Sequence, residues 1–324
     1  MTALPASIPL SHCRLLYTTE SQLPKVECLQ ALVSKHKLSL SINVELITTK
    51  LNQKSREQLS ADTTQPILLL DDKNKLSLLS GGLSVAPEWD KLQRRVVSAG
   101  RKTELLLQAA KVGVDSHVVD ATAGFGHDSL ILASTGAQVT MLEQQPLMAL
   151  LLLAEQQRMS TQPNWQKLMA RLHIINTDAL SYFASCQNSV RLDSSTVETT
   201  HAFVNKIVEV VYLDPMFPEN SYQDSKTGKG AKVGKHMQAL HYLASAPSLV
   251  QEQQLLQGAQ ALVRSKVNGN SNASDDISIN GDSDNTKQQG RVIVKRPQHA
   301  PLFAHQPPDD SWHNAAVRFD GYFS

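Results

Sequence analysis

The segment Asp120-Ala-Thr-Ala-Gly124-Phe-Gly126-His127-Asp128 stands where an apolar run, His117 to Ala121, gives way to a helix-length stretch. Glycines at such a junction let the backbone approach a ligand closely, and the first helical turn offers unpaired N–H groups to it. That chemistry suits a nucleotide-like cofactor; the alternative is a tight strand-to-helix turn that uses glycine only for its conformation. Glu143, 17 positions after Gly126 at the end of the next apolar run, supplies a carboxylate able to accept both hydroxyls of a ribose. Thr177-Asp178 follows a third run that ends at Asn176. Three such strand ends along one sheet edge point to a cofactor crevice rather than to three unrelated turns.

Dinucleotide sites use G-x-G-x-x-G, and the third glycine position here is Ser129. The order Asp120, Gly124, Gly126 is similar to that of S-adenosylmethionine-dependent methyltransferases, so the methyl donor is expected in place of NAD. A second segment, Val210-Val-Tyr-Leu-Asp214-Pro215-Met216-Phe217-Pro218, delivers an acid on a hydrophobic run and stiffens the chain beyond it with two prolines. It resembles the [DNS]-P-P-[YFW] motif of enzymes that methylate the exocyclic amine of a base, with Met216 in place of the second proline. An aryl amine has its lone pair drawn into the ring, so a site for it must orient the nitrogen and accept its protons as charge develops. Asp214 and the Pro215 carbonyl are the expected acceptors, and Phe217 is expected to stack on the base. The simpler reading is an Asp-Pro turn after a buried strand.

Basic residues flank these segments. Lys226, Lys229, Lys232 and Lys235 recur every three positions with glycines between them, a run that either follows RNA phosphates or forms a solvated loop. Lys91, Arg94, Arg95, Arg101 and Lys102 form a second candidate patch, and Lys295-Arg296 closes a late strand where it could bring two cations to the substrate. Trp89, Trp165 and Trp312 are isolated and are expected to pack against the surface of the core. The histidines lack H-x-x-x-H and H-E-x-x-H spacing, so no metal is expected.

The elements that must position these residues emerge from apolar periodicity. From His117 onward, short apolar runs alternate with helix-length segments, the pattern of a parallel sheet with crossover helices: His117 to Ala121, Gln138 to Leu142, Leu172 to Asn176, Ile207 to Leu213 and Arg291 to Lys295 are the expected strands. Pro146 to Met159 reads as a helix with proline in its first turn. Before them lie two strand-like runs, Ser39 to Thr48 and Pro66 to Leu70. The expected organisation is a small α/β lobe over residues 1–100 and a doubly wound, Rossmann-like domain over 101–324, with the polar segments 188–205 and 268–289 as flexible insertions.

With 324 residues, 41% of them hydrophobic, and 31 basic against 30 acidic side chains, the chain is neither disordered nor coated with positive charge. Cys13, Cys28 and Cys186 have neither the even number of a disulfide framework nor the paired spacing of a zinc site. The longest apolar stretch, Leu147 to Ala154, is too short to cross a bilayer, and the N-terminus does not read as a signal peptide, so a cytoplasmic protein without a membrane partner is expected.

Four stretches, VVDATAGFGHDSLILAS at 118–134, MLEQQP at 141–146, VVYLDPMFP at 210–218 and VIVKRPQHAP at 292–301, resemble the ribosomal RNA small subunit methyltransferase J family of guanine-N2 methyltransferases. The resemblance covers most of the chain from about Gly81 and is faint before it. It implies a class I methyltransferase fold and S-adenosylmethionine as cofactor, with His127, Asp128, Glu143, Gln144, Thr177, Asp178 and Asp214 in contact with it. It also implies methyl transfer to a guanine of 16S RNA in the small ribosomal subunit. Two rivals are a methyltransferase for another planar amine, adenine N6 or a protein glutamine, and a non-catalytic RNA-binding assembly factor.

Overall fold

The computed structural model describes residues 11–48, 51–61, 65–80, 83–100, 102–191, 207–217, 236, 239–240, 243–264 and 290–324. Arg101, Pro218, the lysines at 226, 229, 232 and 235, residues 192–205 of the expected insertion 188–205, and all of 268–289 lie outside them.

The first sheet is built from β1 (His12–Tyr17), β2 (Ser41–Leu46), β3 (Ile67–Leu70), β4 (Leu76–Ser80) and β5 (Leu83–Val85), in the order β2-β1-β3-β4-β5. Helices α1 (Leu23–Lys35) and α2 (Gln53–Ala61) make the crossovers that let β1 run parallel to both β2 and β3, while β3, β4 and β5 follow one another antiparallel. Two strands were expected here and five are present. Three were missed because β1 carries His12 and Arg14 on a six-residue strand, and β4 and β5 are only five and three residues long.

Two short helices, α3 (Gln93–Ser98) and α4 (Leu105–Ala110), lead into the second sheet. Its strands are β6 (His117–Asp120), β7 (Gln138–Glu143), β8 (Leu172–Asn176), β9 (Val210–Leu213), β10 (Arg291–Pro297), β11 (Asp310–His313) and β12 (Val317–Phe323), in the order β11-β12-β10-β9-β6-β7-β8. The strands from β8 to β10 are mutually parallel, and β12 returns antiparallel between β10 and β11. The chain winds outward from β6 through β7 to β8, then resumes on the other side at β9. The order therefore reverses between β6 and β9, and the carboxyl ends of those two strands open the crevice where ligands bind in such sheets. This is the class I, Rossmann-like methyltransferase topology.

Helices α5 (His127–Ser134), α6 (Pro146–Ser160) and α7 (Gln166–Met169) lie on the face that shares its core with the first sheet, and α8 (Ala179–Arg191) and α9 (Leu249–Arg264) cover the other. Leu15, Leu29, Leu68 and Leu78 belong to the same apolar cluster as Leu130 and the run Leu147 to Leu153. Eleven of the fifteen residues of α6 are buried, because it is sandwiched between the two sheets rather than lying at a surface.

Trp89, expected at the edge of the core, is instead fully buried in the 3-10 turn Trp89–Leu92. Its indole N–H donates to the Phe125 carbonyl (2.8 Å), and its backbone N–H donates to Glu155 Oε1 (3.0 Å). The stretch before the second sheet is thus locked onto the glycine segment.

Candidate active site

Asp120 closes β6, and the chain turns through Gly124 and Gly126, both with positive φ (+53° and +74°), before entering α5. A Cβ at Gly126 would stand 2.7 Å from Met141 Cε, the movable end of that side chain, and 3.0 Å from Trp89 Cζ2, so its neighbours would have to give way. The buried Asp120 carboxylate accepts the Thr122 N–H (3.2 Å) and the Ser129 hydroxyl, which braces this turn. Burial pushes its pKa up to about 7 against those hydrogen bonds.

Glu143 ends β7, paired in register with Asn176 of β8. Its two carboxylate oxygens accept the Gly124 N–H (3.2 Å) and the Gln145 N–H (2.8 Å), so one side chain ties the glycine turn to the start of α6. Burial raises this group to about 7 as well, with the two N–H groups opposing the shift. Asp178 caps α8 by accepting the Ser181 N–H (2.9 Å).

These pieces meet at one cavity of about 380 Å³, within the range of small-molecule sites. Gly124, Glu143, Gln144, Thr177, Asp178, Asp214 and Pro215 line it. Asp120, Gly126, His127, Asp128 and Phe217 do not. The His127 ring donates from Nε2 to the Pro87 carbonyl (2.7 Å), toward the first sheet. The cavity also takes in residues that sequence reasoning missed: Gln145, Met148, Met216, Gln251 and the stretch from Leu243 to Pro247. Gln145 carried a readable signal, since it directly precedes the first-turn proline of α6; its buried amide donates to the Leu243 carbonyl (3.0 Å) and anchors that stretch.

Asp214 follows β9, and its backbone N–H donates to Thr122 Oγ1 (2.6 Å). Behind it lies a compact ionic cluster. Lys295, on the neighbouring strand β10, donates to Asp214 Oδ2 (2.9 Å) and Asp128 Oδ2 (2.7 Å), and the Tyr212 hydroxyl also donates to Asp128 Oδ2 (2.6 Å). Burial pushes Asp128 upward, but Lys295 overrides it and holds the carboxyl down at about 2. Asp214 remains above the ordinary carboxylate range, because burial and the neighbouring Asp128 outweigh Lys295.

Three expectations are corrected here. Lys295 is committed to two carboxylates and not to RNA. Arg296 is buried, bonded to Glu252 (3.0 Å) and to the Pro301 carbonyl (2.9 Å), and so offers no charge to a phosphate. Phe217 is 5% exposed, with the Arg296 guanidinium 4.9 Å over its ring, so its face is already covered and it holds the Asp-Pro segment in place instead of stacking on a base. Of the other basic patch, Arg95 is bound bidentately to Glu104, whereas Arg94 and Lys102 are exposed.

The cavity lining includes three carboxylates, Glu143, Asp178 and Asp214, and among the described residues no lysine, arginine or histidine. An anionic pocket repels a pyrophosphate and attracts a cation, which disfavours a dinucleotide and fits a ligand that carries a sulfonium and an ammonium group.

Comparison with known proteins agrees. The family model for SAM-dependent methyltransferases matches residues 45–270. The ribosomal RNA small subunit methyltransferase J of Psychrobacter arcticus is 67% identical over 311 residues, which cover 96% of this chain and 95% of that protein. The chain belongs to the ribosomal RNA small subunit methyltransferase J family. The J methyltransferase of Acinetobacter baylyi is 32% identical over 79% of this chain and 80% of its own length. In fold, the chain is similar to a SAM-dependent methyltransferase from Neisseria gonorrhoeae, with a TM-score of 0.58 and 22% identity over 96% of this chain and 95% of that one. The match to the Psychrobacter arcticus protein takes in the first sheet, so the family likeness reaches well before Gly81, where the sequence motifs alone had placed its start. The J-family chain is a SAM-dependent methyltransferase, and S-adenosylmethionine is its cofactor. Among the described residues no helix is long and apolar enough to cross a membrane.

Proposed function

We propose that this protein methylates the exocyclic N2 of one guanine in 16S RNA of the small ribosomal subunit. The observation that carries the reading is the state of Asp214 at the cavity wall. One carboxylate oxygen is held by Lys295, while the other, Oδ1, accepts no hydrogen bond among the described residues. A free, oriented acceptor beside the cofactor pocket is what a planar amine needs.

S-adenosylmethionine supplies a methyl group on a positively charged sulfur that departs as a neutral thioether. In our reading Glu143 holds the ribose hydroxyls, Asp178 and Thr177 flank the base of the cofactor, and the Gly124 turn lets the backbone approach it. With S-adenosylmethionine bound, its sulfonium would supply the methyl group to the target amine, and Asp214 Oδ1 would accept the proton that the nitrogen gives up. The Pro215 carbonyl is a second acceptor for the amine, and the Thr122–Asp214 bond fixes where both stand. Exposed Lys102 and Arg94, with Arg101 and the lysines at 226, 229, 232 and 235, are the side chains assigned to phosphate. The printed names of the relatives, ribosomal RNA small subunit methyltransferases, support the substrate class.

The test is transfer of labelled methyl to small subunits from cells that lack the protein, followed by nucleoside mass spectrometry. Labelled N2-methylguanosine, lost with Asp214→Ala while RNA binding survives, is the expected result. Label in N6-methyladenosine or in protein would move the assignment to another amine. Absence of transfer with RNA binding intact would leave an assembly role.

A further inference from the structure

Asp214 does not stand alone, and the company it keeps is costly. Three carboxylates, Asp120, Asp128 and Asp214, crowd the ends of β6, α5 and β9, with the Tyr212 hydroxyl beside them. Among the described residues, the cations facing them are Lys295 from β10, bonded to two of the three, and Arg95 from α3, whose Nη2 is 4.0 Å from Asp128 Oδ1. Register explains the meeting: Val294 pairs with Leu213, so the next residue on each strand, Lys295 and Asp214, emerges side by side at the carboxyl edge. Here the ammonium takes Oδ2, no donor among the described residues meets Oδ1, and Asp214 lines the cavity.

We propose that Lys295 is a positioning residue for methyl transfer, which keeps Asp214 ionised and turns its open oxygen toward the amine. The proposal rests on the assignment of Asp214 as proton acceptor. A carboxyl that already carries a proton cannot take one from nitrogen. Burial and the neighbouring Asp128 both push Asp214 toward its protonated form, and Lys295 opposes them. Asp128 has a complementary part. Bonded by both Lys295 and Tyr212, it fixes the ammonium on the side of Asp214 away from the cavity.

Two variants and two readouts test this. Lys295→Met removes the charge, and Lys295→Arg keeps it. With Lys295→Met, kcat at pH 7 should fall at least tenfold while KM for S-adenosylmethionine changes less than threefold. The acidic limb of the kcat–pH profile should move upward by a pH unit or more, so that part of the loss is regained at pH 9. Lys295→Arg should lower kcat but leave that limb at its wild-type position, and it serves alone if Lys295→Met does not fold. A uniform loss at every pH, a limb that moves equally in both variants, or a limb that moves in Lys295→Arg when it is the only folded variant would overturn the proposal. So would a loss confined to RNA affinity. The second readout needs no substrate: carbon-13 NMR of labelled aspartates, with Asp214→Asn to assign the signal, should show the Asp214 midpoint rising in Lys295→Met. If that midpoint rises but the wild-type protein methylates no guanine, the reading of the substrate has failed and the control of Asp214 by Lys295 stands. If guanine is methylated but the midpoint stays where it was, the inference alone has failed.

Discussion

The Trp89 ring closes tightly on the glycine turn, with Cζ2 3.0 Å from where a Cβ on Gly126 would stand. The indole N–H of the same ring donates to the Phe125 carbonyl (2.8 Å). A residue from the segment that joins the two sheets thus sets the shape of the cofactor turn, and the absence of a side chain at 126 is a packing requirement as well as a conformational one. Gly126→Ala should therefore disrupt cofactor binding beyond the about 1–3 kcal/mol of a non-glycine residue in left-handed backbone. The expected outcome is at least a tenfold weaker Kd for S-adenosylhomocysteine by calorimetry, together with a lower melting temperature. An unchanged Kd would show that the turn can rearrange around Trp89.

Trp89→Phe tests the indole as a whole. Phenylalanine cannot donate to the Phe125 carbonyl and lacks the part of the indole that carries Cζ2, so a buried acceptor loses its partner and a void opens beside Gly126, at a combined cost of about 2–4 kcal/mol. Denaturant unfolding should register a loss of that size, with cofactor affinity reduced. Unchanged affinity would mean that the turn holds its shape without the indole.

Glu143 gives cofactor binding a pH dependence whose sign is fixed. Its carboxyl is raised by burial to about 7 in the ligand-free protein, and ribose hydroxyls bind to the ionised form. Ligand entry therefore expels a proton from the fraction of molecules that carry one. Affinity for S-adenosylhomocysteine should rise with pH up to about 7, by at most about tenfold per unit, and level off above it. Calorimetry at pH 6 and pH 8, in two buffers of different ionisation enthalpy, measures both the Kd and the proton released. Glu143→Gln should bind more weakly and flatten the dependence. A slope that survives in Glu143→Gln would assign the proton to another group.

The strands from β6 to β10 were legible because a parallel sheet buried on both faces writes itself as apolar runs, and the residues after them stand at a single edge. The cavity-lining residues Gly124, Glu143, Thr177, Asp178 and Asp214 came from that pattern, and Gln144 from the family resemblance. The features that stayed hidden depend on strand order and register, which no local period encodes. Lys295 meets Asp128 across 167 positions, and Arg296 meets Glu252 across 44, so both basic residues read as exposed when only their neighbours in sequence were considered. Leu243 to Pro247 reach the cavity through the Gln145 side chain, a contact made 98 positions away. The same limit explains Trp89, whose burial comes from the packing of one sheet on helices of the other.

The contrast between Arg296 and Lys102 tests the reassignment of the basic residues. Arg296 is buried against Phe217 and Phe303 and shares the Glu252 carboxylate with the Ala304 N–H (2.8 Å). Removing the guanidinium leaves the partly buried Glu252 without its counter-charge, which costs up to about 3 kcal/mol, the lower end of the range for a buried pair broken from one side. Arg296→Ala should accordingly lower the melting temperature by many degrees and loosen the Asp214-Pro215 segment that Phe217 anchors. Lys102 is exposed, so Lys102→Ala should leave the melting temperature within about a degree of its wild-type value. As a phosphate contact, it should weaken RNA binding in every sequence context and reduce the slope of log K against log salt by about 1. Thermal melts together with a salt titration of RNA binding distinguish the two. A wild-type melting temperature for Arg296→Ala with a reduced salt slope would return that residue to the RNA surface.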